Sequence, residues 1–245
     1  MANQGKFIAI TGGASGIGLA LVKLLASRNA ILSISDLNVA ALATLEAELK
    51  TGHPDYLYTA VNIANEEEVN AWITATKDHF GELHGAANCA GIVGTTNMAM
   101  PLTKIDNKNW ELCLGFNLTG TPPAFLCNMY CIRAELQNIA DSGSIVSIAS
   151  AASLEGIAWM GLYCAVKHGV IGLVHAVAKE VGNWGIRANV VAPGNIDTSL
   201  LRGALEGRNQ YGTPGEAASV LAWHLGPEST FVTGAVYMVD GGWQP

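Results

Sequence analysis

Seven short β-rich runs alternate with helical stretches along the whole chain, and that alternation restricts the available folds more than any other feature. The strand candidates are KFIAIT, AILSIS, YLYTAV, HGAANC, GSIVSIA, IRANVVA and AVYMVD. Between them lie helix candidates at Gly16–Arg28, Asn38–Lys50, Glu66–Phe80, Asp106–Gln137 (interrupted near Pro122 and Pro123), Met160–Asn183 and Pro214–Leu225. Successive strands joined by helices demand right-handed crossovers, so the expected fold is α/β, an open, doubly wound parallel sheet with helices on both faces. A chain that is 50% hydrophobic and only 13% charged suits a sheet covered on both sides. No repeat, linker or low-complexity segment divides it, so residues 1–245 are read as one domain.

Charge and cysteine usage exclude several classes of partner. The net charge of -7 and the lack of any basic cluster argue against nucleic acid or an anionic membrane surface. Leu112–Ile132 holds no Asp, Glu or Lys, but its asparagines, glycines and paired prolines suit a buried protein helix better than a lipid-facing one. The five cysteines contain no C-x-x-C pair and MANQGKF runs directly into a strand, which together predict reduced thiols in a cytoplasmic protein. The six histidines show no metal-ligand spacing, so no metal is expected.

In a doubly wound sheet, ligands bind beyond the carboxyl ends of the strands. After the first strand comes GGASGIG, in which Gly12, Gly16 and Gly18 form a G-x-x-x-G-x-G turn entering a helix near Ser15 and Ile17. Glycines let main chain approach a diphosphate, and free N–H groups at a helix start stabilise its charge. Asp36 ends the second strand about twenty residues on, where a carboxylate can accept from a ribose 2′-hydroxyl and would repel a 2′-phosphate. Neither Ser15 nor Leu37 is basic, so the expected cofactor is NAD rather than NADP.

The apolar helix candidate YCAVKHGVIGLVHAVAKE opens with Tyr163 and places Lys167 one turn later on the same face. A free phenol titrates near 10, so only about one in a thousand is ionised at neutral pH. A neighbouring ammonium shifts such a group by roughly 1–3 units, enough to make it a working proton carrier.

With the glycine turn, Asp36, NCAG after the fourth strand, Asn117, Ser150 and Y-x-x-x-K in order, the chain resembles the short-chain dehydrogenase/reductase family of the Ser-Tyr-Lys type. The similarity runs from Lys6 to the closing VTGAVYMVDGGW. It implies a seven-stranded parallel sheet, nicotinamide chemistry and a homodimer or homotetramer. By position, Tyr163 is the acid/base and Lys167 its activator, Ser150 bonds the substrate oxygen, and Asn117 holds a relay water. Asn62 and Ile63 would lie by the adenine, Asn88, Ala90 and Gly91 along the adenosine, and Pro193, Gly194, Ile196 and Thr198 at the nicotinamide end.

The chain departs from the family pattern in four places. Cys89 stands where a second asparagine is frequent, and Asn62 where an aspartate is. Pro122 and Pro123 follow Asn117 closely and bend or restart the helix there. Only SLLRGALEG separates Thr198 from the next segment, a short lid that predicts an open mouth. Leu154, Ile157, Trp159 and Met160 read equally well as an apolar wall for the substrate, to which Asn195 would add a polar contact, and as core packing. The reading is an NAD-dependent oxidoreductase interconverting a secondary alcohol and a ketone on a hydrophobic small molecule, polycyclic natural products among the candidates. Its rivals are an NADH-dependent ketoreductase or ketoacyl reductase, and a cofactor-binding module without turnover.

Overall fold

The computed structural model describes residues 2–50, 52, 55–91, 101–114, 127–198 and 211–243. Its strands are β1 (Phe7–Thr11), β2 (Ile31–Asp36), β3 (Leu57–Ala60), β4 (Leu83–Asn88), β5 (Ile139–Ile148), β6 (Arg187–Pro193) and β7 (Val236–Val239). They form one seven-stranded sheet in the order β3-β2-β1-β4-β5-β6-β7, with every neighbouring pair parallel. Strand order reverses between β1 and β4, and such a reversal opens a crevice at the carboxyl edge.

The helices are α1 (Gly16–Ser27), α2 (Val39–Leu49), α3 (Glu66–Phe80), α4 (Asn107–Leu114), α5 (Cys127–Leu136), α6 (Gly161–Val181) and α7 (Pro214–His224). Their apolar faces divide between two cores. Leu21, Val22 and Leu25 of α1, Leu42 and Leu45 of α2 and Leu221 of α7 bury one face of the sheet. Val69, Trp72 and Ile73 of α3, Tyr130 and Ile132 of α5 and Val170 and Val174 of α6 bury the other. Strand residues alternate between the cores, as with Ala9 in one and Ile8 and Ile10 in the other.

Local sequence sets several helix ends. Asn65 accepts from the backbone N–H groups of Glu67 and Glu68, a cap that contributes about 1 kcal/mol, with three acids in the following turn. Thr213 and Glu216 make a reciprocal capping box, with Pro214 at the first helical position. Helix α6 continues through Trp184 as a stretch long and apolar enough to cross a membrane, but here it is a core helix with Val166, Val170, Val174 and Val181 buried.

Candidate active site

The β1–α1 turn is shaped to admit an anion. Gly12 has φ +64, and a Cβ there would lie 2.8 Å from Ala90 N and Cα, so the turn meets the chain leaving β4 backbone to backbone. A Cβ on Gly18 would fall 2.1 Å from the Gly12 carbonyl oxygen. Ser15 caps α1 through extended backbone without a side-chain bond, which leaves the helix's first N–H groups for a ligand. Ile17 packs partly against the core below. Thr198 closes over the turn, its Cγ2 3.4 Å from the position a Gly16 Cβ would take. Glycine, free amides and an overlying threonine suit a dinucleotide diphosphate.

Asp36 is anchored beside that turn. Its Oδ2 accepts from Ala14 N at 3.0 Å and its Oδ1 from Asn38 N at 3.0 Å. These bonds hold the half-buried carboxylate at the carboxyl end of β2, next to the glycines.

The remaining expected cofactor residues line the same edge in different ways. Asn62 forms a tight turn, accepting from Ala64 N through Oδ1, and borders an open cavity of about 570 Å³ shared with Asn65, Glu66, Asn70 and Tyr130. Ile63 packs against the core beneath α3 and α5. Asn88 is buried at the end of β4, and Ala90 N donates to Thr11 Oγ1 at 3.2 Å. Gly91 follows directly at the edge. Pro193 ends β6 and Gly194 packs on Asp240 of the chain leaving β7. Ile196 is 2% exposed and pairs with Gly212 as an isolated parallel bridge, so its main chain is what it can offer a ligand.

Tyr163 and Lys167 lie one turn apart on α6, and Lys167 joins that helix to the end of β5, just before Ser150. The Lys167 ammonium is buried, lies 5.8 Å from the centre of the Tyr163 ring, and donates to the Ile148 carbonyl at 3.1 Å. Ile148 ends β5 two residues before Ser150, so the bond ties the lysine to the strand that delivers the serine. Ser150 caps the 3-10 turn Ala151–Ser153, accepting from Ala152 N through its hydroxyl. Buried Ser153 donates its hydroxyl to the Ser150 carbonyl and accepts from Ser150 N. Tyr163 is half-buried at the first turn of α6. The expected relay residue Asn117 and the short lid at 199–210 lie outside the described residues.

Of the expected substrate wall, Leu154 is 43% and Trp159 60% exposed, whereas Ile157 and Met160 are half-buried. Core packing therefore does not account for Leu154 or Trp159. Trp159 also has φ +70, a left-handed conformation that costs a bulky residue about 1–3 kcal/mol. Cys164 accepts from Ile157 N and so fixes the loop leading into α6. Asn195 is half-buried. The Cys89 thiol is pushed up to about 12 by burial, partly offset by Lys167, which suits a packing group rather than a nucleophile.

Three groups near this architecture carry no signal in the sequence. Glu135 on α5 is 1% exposed, and burial pushes its carboxyl up to about 8 against the opposing effect of an Asn88 hydrogen bond. Ser153 looks like an ordinary turn residue until its capping box is seen. At the far end of the sheet, the Arg187 guanidinium donates to the carbonyls of His224 and Gly226 and to Ser229 Oγ, holding the C-terminus of α7.

The comparisons with known proteins follow the same lines. A family model described as enoyl-(acyl carrier protein) reductase matches residues 12–244. The chain is 44% identical to a short-chain dehydrogenase/reductase, ABA4, of Pyricularia oryzae, covering 98% of this chain and 92% of that protein. It is 34% identical to a 2,5-dichloro-2,5-cyclohexadiene-1,4-diol dehydrogenase of Sphingobium indicum, covering 98% and 97%. Among solved structures, a short-chain type dehydrogenase/reductase from Mycobacterium ulcerans aligns with a TM-score of 0.89 at 28% identity, over 99% of this chain and 90% of that one. The family uses a nicotinamide dinucleotide and acts on alcohol or ketone groups of small molecules. With its sheet order, glycine turn and full-length likeness to these proteins, the chain belongs to the short-chain dehydrogenase/reductase family.

Proposed function

We propose that the protein is an NAD-dependent dehydrogenase that oxidises a secondary alcohol on a hydrophobic ring system, or reduces the corresponding ketone. The observation that carries this reading is the buried Lys167 ammonium beside the Tyr163 ring, anchored to the last residue of β5, two residues before Ser150. When bound, a nicotinamide would supply the hydride acceptor for the alcohol carbon, its dinucleotide held by the glycine turn and Asp36. Tyr163, as phenolate, takes the hydroxyl proton, and Lys167 favours that ionised state by its charge. The Ser150 hydroxyl donates to the substrate oxygen, with its backbone fixed by Ser153. Asn117 completes the proton path in this reading.

Asp36 supports NAD, because a 2′-phosphate would meet a carboxylate anchored by two amides. Exposed Leu154 and Trp159 support an apolar substrate, polycyclic natural products included. A relative named for a cyclohexadiene diol supports a ring-borne alcohol. The free thiols of Cys89, Cys131 and Cys164 suit a reducing cytoplasm. Exposed Phe231, Tyr237 and Trp243 around edge strand β7 suit a homodimer or homotetramer. The test is absorbance of reduced nicotinamide with a panel of cyclic secondary alcohols and NAD or NADP. Turnover with NAD and a ring alcohol is expected; dinucleotide binding without turnover on any alcohol or ketone would favour a cofactor-binding module.

A further inference from the structure

A polar row crosses the carboxyl edge of the sheet. Asn88 is the register partner of Thr11 in β1 and of Ser147 in β5. Ala9, Ala86 and Ile145, each two residues earlier, all belong to the core under α3, α5 and α6. Alternation therefore puts Thr11, Asn88 and Ser147 side by side on that face. All three are buried, at 1%, 3% and 0% exposure. Among the described residues Asn88 Oδ1 and Ser147 Oγ lack hydrogen-bond partners.

Glu135 reaches this row from α5. Its Oε2 accepts from Asn88 Nδ2 at 3.2 Å, and it forms no ion pair among the described residues. Burying a carboxyl and an unpartnered amide oxygen disfavours the fold, so stability does not explain the arrangement. Its location does. Asn88 is the last residue of β4, and the chain it launches passes Gly12 at Ala90. Thr11 holds that exit through Ala90 N, and Glu135 holds it through the Asn88 amide.

We propose that Glu135 is a positioning residue for the dinucleotide crevice, acting through Asn88 to fix the chain leaving β4 against the glycine turn. The proposal rests on reading Asn88, Ala90 and Gly91 as part of the cofactor site. Raised to about 8, the carboxyl is mostly neutral at pH 7, so glutamine is its close substitute.

The experiment is a double-mutant cycle on the full chain, with the NAD dissociation constant measured by calorimetry. N88A and E135M should each weaken NAD about tenfold, the double variant should be no worse than either, and E135Q should bind nearly as tightly as the parent. Additive losses, or an E135Q loss as large as that of E135M, would overturn the proposal. Loss in N88A without loss in E135M would overturn it while leaving the site reading intact. An N88A variant that binds like the parent would remove both. If E135M does not fold, the reciprocal exchange decides: N88D should weaken binding and N88D/E135Q should restore it by reversing donor and acceptor. No restoration would overturn the proposal.

Discussion

Asp36 and Ala14, twenty-two residues apart in sequence, are joined by a 3.0 Å hydrogen bond from the Ala14 amide to the carboxylate. The acid read as the ribose partner thus also steadies the glycine turn. Replacing Asp36 by Ala should weaken NAD about ten- to a hundredfold, as expected for losing hydrogen bonds to a charged group. NADP, no longer repelled, should lose less. Calorimetry with both dinucleotides checks this, and an unchanged preference would show that another residue selects the cofactor.

Tyr163→Phe removes the hydroxyl and leaves the ring beside Lys167. Turnover should fall by about 10²–10⁴-fold, the usual contribution of a positioned acid/base, while dinucleotide affinity stays within about twofold. Stopped-flow hydride transfer and calorimetry on one preparation separate the two effects.

Trp159 combines a left-handed backbone with an exposed side chain. Trp159→Gly should raise stability by about 1 kcal/mol by relieving the backbone, yet raise KM for an apolar alcohol. Urea midpoints and steady-state kinetics test the two signs independently. A stability gain with unchanged KM would take Trp159 out of the substrate wall.

Two buried groups give stability opposite slopes with pH. Burial and Arg187 lower His224 from 6.5 to about 4. The folded state therefore binds fewer protons there than the unfolded, and stability falls as pH drops from 6.5 towards 4, by roughly 3 kcal/mol. Burial raises Glu135 from 4.5 to about 8, so stability is full below 4.5 and falls by several kcal/mol as pH rises towards 8. Denaturant midpoints across this range should show His224→Leu flattening the acid limb and Glu135→Gln the alkaline limb. An E135Q profile parallel to the parent between pH 6.5 and 8 would contradict the assignment.

Elements whose signals are local were legible in the sequence. Helix α3 spans Glu66–Phe80 as expected, because Asn65 starts it and Gly81, at φ +88, ends it. Strand β5 begins earlier than GSIVSIA, at Ile139. Its first residue, Ile139, pairs with Leu83 before a register shift, and that pairing depends on where β4 lies. The same distinction holds at the site. Gly12, Asp36, Tyr163 and Lys167 announce themselves by spacing. Glu135 sits in RAEL, whose spacing marks no site, and meets Asn88 only through the docking of α5 over β4. Trp159 reads equally as core or wall, since its exposure follows from a loop conformation that composition does not encode.

Where Gly12 meets Ala90, two main chains touch with no side chain between them. A floor made of backbone offers mutation almost nothing to adjust, whereas Leu154 and Trp159, at the rim of the proposed substrate site, present exposed side chains. Inheritance can therefore rewrite the rim while the floor persists, and new substrates become reachable without rebuilding the grip on the dinucleotide.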